Sequence, residues 1–217
     1  MDEARSVREF WFGRLPLCAE DLDERMAFWF GEDNLGLTAQ RDEEIRARFG
    51  ELFERAAAGE LESWADGPRR RLSLIIVLDQ FPRNMFRDSA RAFDFDEQAL
   101  ALALSGMQSG ADAALDAVER IFFYMPLQHA ESLEVQEESV AACRRLLSEA
   151  PQELQESFAE VLDYAERHRA IIERFGRFPH RNRLLGRAST PAEEAWLSEG
   201  ARFPPWITPP GPRADRN

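Results

Sequence analysis

The feature that most constrains this chain is the spacing of its apolar side chains. Leu154, Phe158, Val161, Leu162, Ala165, His168, Ile172 and Phe175 recur every three or four positions, which places them on one face of a long helix. Pro151 can open that helix at its first turn. Leu133, Gln136, Val140, Cys143 and Leu147 repeat the pattern, and Thr38 to Ala58 predicts another helix ended by Gly59. Asp94-x-x-Glu97 resembles a capping box ahead of the Ala/Leu run 99–104, with Gly110 as its stop. Leu72 to Leu78 is ambiguous, because its Ile-Ile-Val core also suits a buried strand. No second strand candidate lies nearby, so we read it as a buried helix and the fold class as all-α.

Charge limits the partners. The 217 residues carry 40 Asp+Glu against 27 Lys+Arg, a net charge of -13, and every basic residue is arginine. So acidic a chain is unsuited to duplex nucleic acid or to an anionic membrane surface. The opening Met1-Asp2-Glu3-Ala4-Arg5 has no apolar leader, and the longest aliphatic run, Leu74 to Leu78, is far short of a membrane span. Cys18 and Cys143 are too few for a disulfide framework. These features predict a cytoplasmic globular protein with one all-helical domain over 1–200. The Phe203-Pro204-Pro205-Trp206 segment then opens an extended Pro-rich tail over 201–217.

Phe10-Trp11-Phe12-Gly13 recurs as Phe28-Trp29-Phe30-Gly31, which predicts two helices that end in aromatic packing and a glycine C-cap. Three further segments combine an aromatic residue, a proline and a set of hydrogen-bonding side chains: Phe81-Pro82-Arg83-Asn84, Tyr124-Met125-Pro126-Leu127-Gln128-His129 and Phe178-Pro179-His180-Arg181-Asn182. Proline lacks an N–H and clashes with the preceding turn, so each predicts a helix end. Their polar side chains either satisfy the orphan carbonyls there or form a site.

Asp79 stands at i+3 from Ile76 and i+7 from Leu72, in a segment that is apolar all round. A carboxylate there has to be paired or protonated, and Arg83 is one turn away. His168 falls on its helix's apolar stripe, and His129 extends the Leu133 face. From Arg174 to Ala192 there are five arginines (174, 177, 181, 183 and 187) and no acid, while Arg83, Arg87 and Arg91 form a second stripe. Arginines clustered in an acidic chain suit bidentate binding of a carboxylate or phosphate, or pair internally with the acid excess. Gly-rich phosphate loops, nucleophile elbows and zinc-type pairs are absent from the sequence. His129 and Glu131, with His168 and His180, offer metal-ligand types, but no local spacing demands an ion, and neither a metal nor a cofactor is assigned.

Leu78-Asp79-Gln80-Phe81-Pro82-Arg83-Asn84-x-Phe86-Arg87, Tyr124-x-Pro126-Leu127-x-His129-x-Glu131 and the long Arg174–Thr190 segment together resemble the bacterial family called domain of unknown function 924. The N-terminal Phe10–Gly13 and Gly59-Glu60-Leu61-x-x-Trp64 resemble that family's opening; the second Phe-Trp-Phe-Gly, at 28–31, departs from it. The resemblance covers most of residues 7–198. It implies an antiparallel helical array like the tetratricopeptide superhelices, and it implies no activity.

Two functions follow as expectations. In the first, the chain is an enzyme or receptor for a small anionic molecule. Arg83, Arg87, Arg177 and Arg181 hold it, Asn84, Gln128 and Asn182 orient it, and His129, His168 or His180 serves as acid or base beside Asp79 or Glu131. In the second, a helical module binds a peptide or protein partner and the same residues are braces.

Overall fold

The computed structural model describes residues 2–30 and 35–198, so the Pro-rich tail and Gly31 lie outside the described residues. All regular structure among them is helical. The elements are α1 (Glu3–Phe12), α2 (Ala19–Phe30), α3 (Leu35–Ala57), α4 (Pro68–Ile75), α5 (Phe81–Met85), α6 (Asp96–Gln108), α7 (Ala117–His129), α8 (Leu133–Glu149), α9 (Gln155–Phe175) and α10 (Pro191–Ser198). The all-α expectation holds, and Leu72 to Leu78 is a wholly buried helix.

α4 packs against α1, α6 and α7, while α7, α8 and α9 pack in succession through short connections. Contacts so distant in sequence exceed the neighbour-only packing of a repeat array, and a tetratricopeptide-like superhelix rests on the resemblance alone. The two Phe-Trp-Phe segments converge on one ring. Phe122 lies 5.4 Å from Trp11, 5.5 Å from Phe12 and 4.6 Å from Trp29. Trp29 Nε1 also donates to the Trp11 carbonyl at 2.8 Å. Gly13 ends α1 at φ 71° and ψ -139°, a conformation that lies outside the left-handed helical region and that glycine adopts readily.

Three expected boundaries are corrected. Asp94 and Glu97 form no capping box; Phe95 occupies the N-cap of α6 and makes no side-chain cap. Pro82 does not end its helix. A π-helical turn, Ile76–Gln80, joins α4 to α5, and the Phe81 N–H reaches back to the Ile76 carbonyl. The wider turn relieves the clash Pro82 would make with the Leu78 carbonyl. Pro126 sits inside α7, which runs on to His129. Of the three proline segments, only the one at Pro179 follows a helix end, after Gly176 closes α9 at φ 69°.

Gly106 on α6 is required for packing. A Cβ there would stand 2.5 Å from Phe123 Cζ and 2.8 Å from Arg71 Cδ. Phe123 is fully buried and has no room to retreat. Gly106→Ala is therefore expected to lose about 1–3 kcal/mol in urea unfolding despite alanine's better helix propensity.

Candidate functional site

The π turn aims Asp79 inward, where it is fully buried. His129 Nδ1 lies 2.7 Å from Asp79 Oδ1, Gln80 Nε2 donates to Oδ2 at 2.5 Å, and Arg83 Nη1 stands 3.3 Å from Oδ1. Burial alone would push the Asp79 carboxyl up. The Arg83 guanidinium and His129 outweigh burial and hold it down at about 2. The anticipated Asp–Arg clasp is thus present, with His129 as a third member.

Arg83 also forks onto Asp96, with both nitrogens at 2.8 Å, and Arg181 Nη1 reaches the same carboxylate at 3.2 Å. Arg181 is 6% exposed, and its guanidinium carbon is flanked by the rings of Phe93 and Phe178 at 4.7 and 4.6 Å. The three histidines form a row. The His129 and His168 rings are 6.4 Å apart, His168 is 5.6 Å from Phe178, and Phe178 is 5.5 Å from His180. Asp79, Arg83, His129, His168, His180 and Arg181 are therefore one centre, drawn from the π turn and α5, α7, α9 and the single turn Pro179–Arg181.

The imidazoles are neutral at pH 7. Burial drives His129 below its ordinary value, and Arg83 adds to it against the pull of Asp79. Burial pushes His168 down to about 3 and, with Arg181 beside it, His180 to about 2. A carboxylate can only accept, so Nδ1 of His129 carries the proton and Nε2 is its basic nitrogen. His168 has the same tautomer, because Nδ1 donates to the Tyr164 carbonyl at 2.7 Å. The Gln136 amide donates to the carbonyls of Leu127, Gln128 and Ala130 at 3.2, 2.8 and 2.8 Å, which closes the end of α7 beside His129.

The remaining candidates lie elsewhere. Arg87 forks onto Asp42 of α3 and also bonds Asn84 at 3.1 Å, while Asn84 donates to the Gln80 carbonyl. Gln128 faces Cys143 of α8 at 3.7 Å. Arg177 forks onto Glu193 at 2.7 and 2.8 Å, and Asn182 donates to the same carboxylate at 3.4 Å. Glu131 is gripped by Arg187 at 2.6 and 3.0 Å and accepts from the Phe178 N–H. Sequence reasoning gave Asp96, Phe93, Gln136 and Glu193 no part in the site or its clamp. Nothing local pairs Asp96 with arginines 13 and 85 residues away. Among the described residues no His/Cys/Asp/Glu group has a metal-holding arrangement, and no helix is long and apolar enough to cross a membrane.

The model of the family described as bacterial protein of unknown function, DUF924, matches residues 7–201. The chain belongs to the DUF924 family. It is also similar to the solved structure of the protein of unknown function ATU0120 from Agrobacterium tumefaciens, at 35% identity and a TM-score of 0.73 over 91% of this chain and 97% of that one. No curated protein matches the chain. Family membership accounts for the long motifs that carry the resemblance, and it brings no activity with it.

Proposed function

We propose that this DUF924 chain binds a small anionic molecule at the Asp79–His129–Arg181 centre, with His129 Nε2 as the base that acts on it. One observation carries the proposal: the two irregular helical turns meet there. The π turn supplies Asp79, and the last turns of α7, which carry Pro126 and so forgo one backbone bond, supply His129. Such irregularities cost stability and gather at functional sites. Asp79 would orient the imidazole and stabilise its charged form, as the third member of a catalytic triad does.

A second reading is favoured for the outlying residues. Arg87, Arg177 and Glu131 each have a dedicated counter-charge, so they act as braces whether or not the centre binds a ligand. As the whole account, bracing makes the chain a non-catalytic module for a peptide or protein partner.

A thermal-shift panel of small carboxylates, phosphates, nucleotides and divalent metals separates the two. A ligand at 100 times its Kd adds about 2.7 kcal/mol, a readily seen shift. The expected result is a rise with at least one small anion in wild type that His180→Ala abolishes. No rise with any anion would leave the bracing account in possession.

A further inference from the structure

The anion proposed above has a chemical class, and the Arg181 guanidinium sets it. Among the described residues Arg181 donates through Nη1 alone, to Asp96 Oδ2 at 3.2 Å. Asp96 is already occupied by both nitrogens of Arg83. Arg181 Nε is buried and has no acceptor, although the residue is 94% buried, its exposure being 6%. A buried donor without an acceptor costs free energy that a ligand oxygen would recover.

We propose that the centre takes a small monocarboxylate, held by the Nε edge of Arg181. This rests on the anion-binding function argued above and narrows it. Two physical facts select the class. Phe93 and Phe178 flank the guanidinium carbon, so a ligand approaches the edge of the group, and a planar carboxylate matches that two-pronged edge. The charges of Arg83 and Arg181 are balanced by those of Asp79 and Asp96, and the three imidazoles are neutral. A buried, balanced centre accepts one negative charge at lower cost than two, which disfavours phosphate and sulfate dianions.

Isothermal titration with acetate, benzoate, inorganic phosphate and sulfate tests the assignment on the full chain. Benzoate or acetate should bind more tightly than either dianion in wild type, an order that needs no variant. Arg181→Lys keeps the charge and loses the fork, and should weaken the carboxylate about tenfold or more. Arg183→Lys, on the exposed Arg183 next to Asn182, should leave binding unchanged. If phosphate or sulfate binds as tightly as the carboxylates, the class is wrong while anion binding stands. Carboxylate binding that Arg181→Lys leaves intact removes Arg181 as the receptor. Silence from all four anions overturns both the class and the site.

Discussion

Asp79→Ala should lower the free energy of unfolding by roughly 3–5 kcal/mol, the largest loss expected of any single side chain at the centre. The substitution removes the acceptor from three donors at once. Gln80, His129 and Arg83 all meet this carboxylate, and all are buried or nearly so. Arg83 would keep Asp96, but His129 would lose the partner that fixes its tautomer. Asp79→Asn keeps the shape and one carbonyl acceptor, so its loss should be smaller. Its amide can present an N–H where the carboxylate only accepted. Urea unfolding of the three proteins at pH 7.5 gives the ranking, and an alanine variant as stable as wild type would mean that Asp79 is not the anchor described.

The second large effect is early loss of stability in acid. Folding pushes His168 down to about 3 and His180 to about 2 from an ordinary 6.5, and lowers His129 as well. A base with a depressed folded pKa contributes stability above its unfolded pKa and loses it as pH falls, because the unfolded chain takes up the proton first. The loss therefore starts near pH 6.5 and accumulates toward pH 3. At pH 5, 1.5 units below the unfolded value, each of these two histidines should cost roughly 2 kcal/mol. Ordinary carboxylates stay largely ionised down to about pH 5, so the imidazoles dominate the fall between pH 6.5 and 5. Asp79, held at about 2 against an ordinary 3.8, adds a further loss only as pH falls below about 4. Urea midpoints at pH 7.5, 6 and 5 should fall steadily, and a flat profile would show that the histidines are not buried as neutral groups. A monocarboxylate at the centre should reduce the fall, since its charge favours an imidazolium nearby.

Both expectations arise from polar groups set where two apolar cores meet. The main core includes Leu78 and Leu127, the neighbours of Asp79 and Gln128, and a smaller one is built on Ile172 and Phe178. His168 belongs to the same helix as Ile172 and stacks near Phe178, so the polar row stands where the second core joins the first.

The sequence by itself determined the helices, because apolar spacing is a local property and burial of a continuous face leaves only one periodicity. It also marked Asp79 as a buried carboxylate, Arg83 as its partner and His129 and His168 as polar groups on apolar faces, since a polar group on an apolar stripe is visible without a structure. Tertiary structure decided the rest. Proline's local effect predicted helix ends at Pro82 and Pro126, whereas packing carried both helices through, by a π turn in one case and by a forgone bond in the other. The spacing of the arginine-rich 174–192 segment suited either an anion or internal pairing with the acid excess. In the fold, Arg177, Arg181 and Arg187 face Glu193, Asp96 and Glu131, and only Arg181 shares its acid with another arginine. Which acid each arginine meets depends on contacts across up to 85 residues, and no local spacing records those distances.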